Sequence, residues 1–539
     1  MGVSYALPLI AGAAAGMGLV YLMIRPQWGD QTWLLFAARR IMDSGRFAFE
    51  DLVESNPPLI IWLSGLPVLV GRALDVSLQS ALHGCMIVLA AISIGWSTAL
   101  LRRSAGSRFA AWFVPVLLYA VVVHPWLHYG QREHIIVFLV LPYLIMAAGR
   151  LEGLSPSTTA AMVAGLCAAI GFLLKPHNLV VVLAVEALLI AGRRDFRLAY
   201  RPEVSVMVAT GLGYLAAIWL WVPDYLFKVL PLLLATYYDY HRVELSELIS
   251  PMRGLKMAIV VLLWAILYRR LAHRALATVL LLAAIGTTIG YVAQLKAHES
   301  HIVPALAFFD LLFGVIVIDC WLRWAAPRMQ PIAARPAAVG AALMFVATIA
   351  LYYPLQLAQA ARGYTDDRIA AQRAISHDIP IGATVVILST SAEAVFEQVL
   401  DRGWEWGSRF LCLWMLPAIV NAERAAERLG IVEPAAIRDA AVVTRNAVLA
   451  DLARWHPNPV LVDRCQDESI APCMGIGTLR LDLLQWFEQD PRFADAWKDY
   501  VREGQAGPYD LWCRKGESEV CRRILADPRV VASREVSRH

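Results

Sequence analysis

The chain contains 539 residues, of which 58% are hydrophobic and 17% are charged, and its mean hydropathy is +0.54. The apolar residues come in blocks of about 20, the length that a helix needs to cross a bilayer. This composition excludes a soluble globular protein, and the lack of alternating segments of about ten residues in the sequence excludes a membrane β-barrel. The formal net charge of +4 comes without a polybasic tail, so no nucleic-acid partner is expected.

In chain order, the apolar blocks predict an all-α polytopic membrane bundle of about 11 to 13 spans. The spans are expected near residues 5–24, 81–101, 109–127, 135–149, 158–174, 179–191, 203–222, 255–270, 275–294, 301–322 and 337–359. The arginine clusters then fall in alternate loops, as the positive-inside rule requires. We therefore expect a multi-pass protein of a bacterial inner membrane, with a cytoplasmic N-terminus, a retained signal anchor at 5–24 and a periplasmic C-terminus.

The apolar block 58–74 does not fit this pattern, because it is short and counting it as a span would export Arg102 and Arg103. We expect it to form an interfacial or re-entrant helix within a first outer loop of residues 25–80 that carries amphipathic juxtamembrane helices. The alternative is a further span, with some basic loops on the outer side.

From about residue 361 charges become frequent, and the runs 384–390, 458–465 and 509–516 read as strands between helical stretches. We expect a membrane module at 1–360 and a soluble, extracytoplasmic α/β domain at 361–539. Four of its cysteines form two pairs of equal spacing, Cys465 with Cys473 and Cys513 with Cys521. Each pair suits a disulfide if the domain is periplasmic, and four free buried thiols are the alternative.

The polar residues that are not arginine gather in the predicted outer loops. Besides the first loop, these loops contain HYGQREH (128–134), KPHN (175–178), YYDYHR (237–242) and KAHESH (296–301). Ionisable groups near membrane depth are costly, so clusters at one rim indicate a shared polar site. The candidate acids are Asp30, Glu54 and Glu133, and the candidate substrate or phosphate ligands are Arg132, Lys175, His177, Tyr240, His241, Arg242, Lys296, His298 and His301. This mixture suits an acid that activates a hydroxyl while cations hold a phosphate leaving group.

Each candidate also has another interpretation. His298 and His301, with Glu299, His128, His134 and His177, contain enough ligand types for zinc or iron, although no HExxH motif is present. Asp30 suits an N-cap of a helix that starts at Gln31. Glu54 suits a solvated loop charge, Glu133 a partner of Arg132, Lys175 a lysine that extends to the headgroups, and the tyrosines of 237–240 an aromatic belt.

The first outer loop resembles that of the GT-C glycosyltransferases, in the branch of protein O-mannosyltransferases and lipid A aminoarabinose transferases. The resemblance rests on GDQTWLLFAARRIMDSG (29–45) and ESNPPLI (54–60), and the hydropathy layout extends it to about residue 360. It implies a polyprenyl-phosphate-linked sugar donor at the outer leaflet, with Asp30 as base or acceptor-positioning residue and Glu54 and Glu133 as the further loop acids. Asn56 stands where related chains often have lysine, which moves the phosphate contact to Lys175, Arg242, Lys296 or a histidine. No cofactor is implied with certainty, and a divalent cation is left open.

The chemistry agrees with this resemblance on independent grounds. An exposed carboxylate is a weak base for an alcohol, so it helps only when the leaving group drives the reaction, as phosphate does. Attack from the side opposite that leaving group inverts the anomeric centre, and the sequence contains no GxxxxGK[ST] loop for a nucleotide. The expected acceptor is a hydroxyl of a glycan, glycolipid or protein, with membrane lipids around the site. The rival functions are a multispan transporter or lipid flippase, and an O-antigen-ligase-like transferase with a diphosphate-linked donor.

Overall fold

The computed structural model describes residues 29–125, 128–237, 242–325, 367–391, 395–470, 473 and 480–530. Its helices are α1 (Gly29–Ser44), α2 (Leu59–Leu74), α3 (Leu78–Ser104), α4 (Gly106–Leu118), α5 (Arg132–Leu151), α6 (Thr158–Leu174), α7 (Leu179–Arg193), α8 (Pro202–Trp221), α9 (Leu230–Thr236), α10 (Leu245–Leu248), α11 (Pro251–Leu267), α12 (Arg274–Ala293), α13 (Val303–Cys320), α14 (Asp367–Ser376), α15 (Val395–Arg402), α16 (Leu416–Leu429), α17 (Ala435–Trp455), α18 (Leu483–Glu488), α19 (Pro491–Trp497) and α20 (Glu519–Ala526). Its strands are β1 (Thr384–Leu388), β2 (Glu405–Trp406), β3 (Val460–Asp463), β4 (Tyr500–Ala506) and β5 (Tyr509–Arg514).

The described residues contain seven helices that are long and apolar enough to cross a membrane: Leu78–Ser104, Arg132–Leu151, Pro176–Arg193, Pro202–Trp221, Pro251–Arg270, Arg274–Ala293 and Val303–Arg323. Each coincides with a predicted span. The predicted spans at 109–127 and 158–174 coincide with shorter apolar helices, and the predicted interfacial segment forms α2, a 16-residue helix. The predicted spans 5–24 and 337–359 lie outside the described residues. The chain is thus a multi-pass helical membrane protein.

The chain divides into two compact units. The first contains the described parts of 70–216 and 243–356, which include the seven long apolar helices except for the end of α8. Helices α5, α12 and α13 are its most buried members, whereas α8 and α11 are mostly exposed. An apolar helix with a mostly exposed surface has the composition expected of a lipid-facing position.

The second unit contains the described parts of 27–69, 217–242 and 357–539, so the first outer loop belongs to it together with the C-terminal domain. Its sheet has the order β2-β1-β3-β5-β4. Strand β1 runs parallel to both β2 and β3, while β5 is antiparallel to β3 and β4. The three predicted strands correspond to β1, β3 and β5.

Strands β2 and β4 were not predicted from the sequence. Strand β2 contains only two residues, and the middle of β4 is polar and not buried, so neither has the alternating pattern that indicates a strand.

Disulfides join Cys465 to Cys473 and Cys513 to Cys521, as the equal spacing suggested, so the alternative of four free thiols is wrong. Cys412 is a free, buried thiol.

Candidate active site

Glu133 lies at the centre of a buried polar cluster in the first unit. It occupies the first turn of α5, where the partial positive charge of a helix N-terminus stabilises a carboxylate. Its side chain is 1% exposed, and three cationic or basic side chains surround it. We call Arg132, Glu133, Lys175 and His301 the Glu133 cluster.

Lys175 is the nearest member of this cluster. Because Pro176 disfavours helical backbone in the residue before it, α6 ends at Leu174 and Lys175 takes an extended conformation with φ −142° and ψ 89°. Its Nζ lies 2.5 Å from Glu133 Oε1, and the residue is only 8% exposed. The alternative that Lys175 extends to the lipid headgroups is therefore wrong.

His301 and Arg132 complete the cluster. His301 Nε2 lies 3.4 Å from Glu133 Oε1, and Arg132 Nε lies 4.0 Å from Glu133 Oε2. Burial, together with repulsion from Lys175, holds the pKa of His301 well below its usual value. The imidazole is therefore neutral near pH 7. Its ring packs edge to face with that of His298, with the ring centroids 5.1 Å apart.

The four side chains of the cluster together carry an excess of positive charge, because a lysine and an arginine accompany one carboxylate and the histidine is neutral. Glu133 is at the start of α5, Lys175 at the end of α6, and His301 just before α13, so all three elements present the cluster at one end of the bundle. Two cationic side chains that converge on one buried point suit the binding of an anion, because fixed cations in a water-poor site stabilise negative charge strongly.

The KPHN turn is held in place by a close approach to α12. A Cβ atom at Gly290 would lie 2.6 Å from Asn178 Oδ1 and 2.9 Å from His177 Cδ2, so only glycine allows this contact. Gln294, one turn further along, has its Nε2 3.2 Å from His177 Nε2. His177 therefore lies against α12, beside Lys175 in the chain.

His134 has a structural task. The backbone N–H of Gly130 donates to its Nδ1 at 3.0 Å, so Nε2 carries the proton and donates to the carbonyl of Val121 at 2.5 Å. Both ring nitrogens therefore form hydrogen bonds with the backbone. Glu299 forms a bidentate ion pair with Arg253. The residues proposed for the alternative metal site therefore do not assemble around one point in the described part of the chain, where the only group with ligating spacing contains the Cys465–Cys473 disulfide.

The two acids of the first outer loop belong to the second unit. Glu54 is 2% exposed, and its carboxylate accepts hydrogen bonds from Trp33 Nε1, from the Asn56 backbone N–H at 2.7 Å and from Ser55 Oγ at 3.2 Å. It is not a solvated loop charge. Asp30 lies within the first turn of α1, which begins at Gly29, and is half-buried, so it is not the N-cap of a helix that starts at Gln31.

The remaining predicted site residues are spread over both units. Lys296 is buried at 2% exposure in the turn before His298, and Arg242 is exposed in the second unit. Tyr240 and His241 lie outside the described residues. The structure thus brings Glu133, Arg132, Lys175 and His301 into contact range, while Asp30 and Glu54 share the second unit.

Asp310 belongs to a polar group of the membrane bundle that was not predicted. It lies in the middle of α13, is 7% exposed, pairs with His124, and has its Oδ1 2.6 Å from Lys256 Nζ. The signal was in the sequence, since an aspartate in the middle of an apolar helix marks a polar site by default.

Comparison with known proteins supports the fold. The sequence matches no protein-family model and no curated protein. The crystal structure of ArnT from Cupriavidus metallidurans in the apo state matches with a TM-score of 0.57 and 14% identity, over 95% of this chain and 98% of that one. The same protein bound to undecaprenyl phosphate gives a TM-score of 0.54 and 13% identity, over 94% and 98% of the two chains. The oligosaccharyltransferase of Archaeoglobus fulgidus, tethered with an acceptor peptide, gives 0.47 and 12% identity over 92% and 72%. The chain therefore has the fold of the two ArnT structures, and the resemblance predicted from the first outer loop is confirmed at the level of the fold.

Proposed function

We propose that the protein is a membrane glycosyltransferase that moves a sugar from a polyprenyl-phosphate donor to a hydroxyl acceptor at the outer leaflet. The fold similarity to ArnT supports this, since that protein has been crystallised with undecaprenyl phosphate. The observation that carries the proposal is the Glu133 cluster, a buried polar site with excess positive charge at one end of a membrane bundle. Such a site suits the phosphate of a lipid whose chain remains in the bilayer.

Lys175 and Arg132 are the proposed ligands of the donor phosphate. When the bond between the anomeric carbon and the phosphate oxygen breaks, negative charge develops on that oxygen, and fixed cations in a water-poor site stabilise it strongly. Glu133 orients Lys175, because its carboxylate lies 2.5 Å from the ammonium group. His301, neutral near pH 7, donates or accepts a hydrogen bond there without adding charge.

Asp30 is the proposed base. The acceptor oxygen attacks the anomeric carbon from the side opposite the phosphate, the carbon–oxygen bond to phosphate breaks, and the hydroxyl proton passes to the Asp30 carboxylate and then to water. One displacement inverts the anomeric centre. Phosphate leaves with its bonding electron pair, so the base is needed only late in the reaction.

The proposed location is a bacterial inner membrane, with the C-terminal domain and the first outer loop on the periplasmic side. The two disulfides support this orientation, because disulfides persist in oxidising compartments and are rare in the cytosol. The acceptor is a glycan, glycolipid or protein hydroxyl, and membrane lipids surround the bundle.

Substitution of Asp30 by Asn tests the proposal. The purified protein in lipid nanodiscs is offered a panel of polyprenyl-phosphate-linked sugars and acceptors, and sugar transfer is measured by mass. We expect Asp30→Asn to insert normally and to lose nearly all turnover, because an amide cannot take the proton. Asp43→Asn is the matched control, since Asp43 is an exposed aspartate on the same helix. Undiminished transfer by Asp30→Asn would remove Asp30 from the mechanism, and a wild-type protein that transfers none of the sugars offered would overturn the proposed function.

A further inference from the structure

We propose that the C-terminal domain positions Asp30 by holding the first outer loop, with Arg40 as the positioning residue that connects the loop to the domain. The catalytic meaning of this inference rests on the proposed function, whereas the contacts do not. All of them lie within the second unit, where the first outer loop and the C-terminal domain are packed together.

Arg40 is the main connection. It lies on α1, almost three turns after Asp30, and its guanidinium is directed into the C-terminal domain. It donates to the carbonyls of Ser408 at 2.7 Å and Trp406, and to the carbonyl of Asp51 at 3.2 Å. The guanidinium also lies over the Trp455 ring at 5.0 Å. One side chain thus joins the helix, the loop that follows it and two elements of the domain.

A short strand-like pairing runs beside this connection. Val53 forms a parallel bridge with Phe410, in which the Val53 N–H donates to the Arg409 carbonyl at 2.8 Å. Arg409 is fixed in turn, because its Nε lies 2.7 Å from Asp451 Oδ1 and its backbone N–H lies 2.9 Å from Asp451 Oδ2. The loop segment that ends at Glu54 therefore extends the structure of the domain.

Aromatic packing fixes the start of the same helix. Trp33 and Phe36 of α1 contact Phe396 of α15, with ring centroids 4.7 Å and 5.5 Å apart. Trp33 also donates its indole N–H to Glu54. Trp33 is one turn after Asp30, so the domain, the helix and Glu54 together set where the Asp30 carboxylate lies.

The thiol of Cys412 can be used to detect separation of the first loop from the domain. It is a fully buried free thiol of the C-terminal domain, and burial, followed by the negative charge of Asp30, raises its pKa. The negative charge of Glu54 also raises this pKa. Cys412 is two residues after Phe410, which pairs with Val53 of the first loop. Movement of the first loop away from the domain is expected to expose Cys412.

The segment 217–242 holds the loop at another point. Asp224 accepts a hydrogen bond from the Phe49 N–H at 2.9 Å, and Lys228 lies 3.1 Å from Glu50. Arg454 of α17 lies 2.7 Å from Asp51. The loop is therefore held along its length, and burial lowers the Arg40 pKa to about 10.

The test compares Arg40→Ala with Arg39→Ala in the full-length protein. Arg39 precedes Arg40 on the same helix and is half-buried, and its guanidinium lies over the Phe36 ring at 5.5 Å. Two quantities are measured: the rate at which a maleimide labels Cys412, found by peptide mapping, and kcat and KM for sugar transfer. We expect Arg40→Ala to raise the labelling rate at least tenfold and to lower kcat at least tenfold, while KM for the lipid donor stays within threefold. Arg39→Ala is expected to behave like the wild type.

Several outcomes would overturn the inference. Unchanged labelling in Arg40→Ala would show that Arg40 does not hold the loop, and faster labelling with wild-type kcat would show that the domain does not position Asp30. If Arg40→Ala does not fold, Arg40→Lys replaces it, because lysine keeps the charge but lacks the planar fork by which the two terminal nitrogens of arginine donate to separate carbonyls. The labelling of Cys412 is measured without a transfer assay. A protein without transferase activity would therefore overturn the proposed function, while the contact between loop and domain would still be tested by labelling.

Discussion

The Lys175–Glu133 pair leads to a quantitative prediction. The two residues are 8% and 1% exposed, and the charged atoms lie 2.5 Å apart. Removal of one partner from a buried ion pair costs about 3–5 kcal/mol because it leaves an uncompensated charge, whereas replacement of both by neutral residues is often neutral. We therefore expect Glu133→Gln, which leaves Lys175 and Arg132 without this carboxylate, to lower the free energy of unfolding by about 3–5 kcal/mol. Lys175→Met leaves Glu133 beside Arg132 and is expected to lower it by less. The double variant is expected to lose less than the sum of the two single losses, because the two residues are in contact.

Donor binding by the double variant then separates two roles of Lys175. A hydrogen bond to a charged group contributes about 1.5–3 kcal/mol, which corresponds to about a 10- to 150-fold change in affinity. The assays are thermal unfolding in detergent and binding of radiolabelled polyprenyl phosphate, with Lys498→Met as the control because that lysine side chain is 65% exposed. A double variant that is stable and still binds polyprenyl phosphate with wild-type affinity would refute the reasoning, since Lys175 would then be only the structural partner of Glu133.

Three further predictions follow from the described contacts. Gly290→Ala is expected to displace the turn at His177 and to weaken donor binding, whereas Gly95→Ala, whose Cβ would meet nothing within 4 Å, is expected to change neither binding nor stability. Burial lowers the pKa of His273, but the hydrogen bond and charge of Asp319 outweigh burial and raise this pKa above 6.5. The stability that the His273–Asp319 pair contributes to the folded protein is therefore complete below pH 6.5 and is lost as pH rises through the folded-state pKa. The Tm is therefore expected to fall with rising pH in that window, and His273→Ala is expected to flatten the profile; an equal slope in the variant would contradict the assignment. Each disulfide closes a loop with a sequence separation of 8, so its loss is expected to cost about 2–3 kcal/mol, measured as a lower Tm after reduction.

The fold was predictable wherever one pattern of residues dominates. The seven long apolar helices and strands β1 and β3 are mostly apolar runs, and their positions follow from hydropathy alone. Strand β5 is recognisable by its alternating burial. Strand β2 has only two residues and the middle of β4 is polar, so neither has a pattern of its own, and β4 forms by pairing with the adjacent β5. The inclusion of the first outer loop in the same unit as the C-terminal domain was missed because it depends on contacts between residues that are distant in the chain, such as Arg40 with Ser408.

The candidate site was predictable as a set of residue types and not as a geometry. Glu133, Lys175 and His301 were selected because each is ionisable and lies at the end of a span. Their separation in the chain gives no information about distance, and only the packing of α5, α6 and α13 brings their side chains together. Lys175 shows the limit most clearly, since the same residue at the end of a span suits either the headgroups or a buried ion pair, and its partner decides between them.

The two acids of the first outer loop, Asp30 and Glu54, lie in different surroundings, which suit them to different roles. Glu54 is almost fully buried and already accepts hydrogen bonds from Trp33, Ser55 and Asn56. Protonation of this carboxylate during a reaction would weaken all of them, so it is better suited to holding the turn before Pro57 than to taking a proton. Asp30 is half-buried and lies in the first turn of its helix, where the helix dipole favours its charged form. The environment of Asp30 suits the proposed base, which must be ionised before the acceptor arrives. The environment of Glu54 suits a residue that holds this base in place.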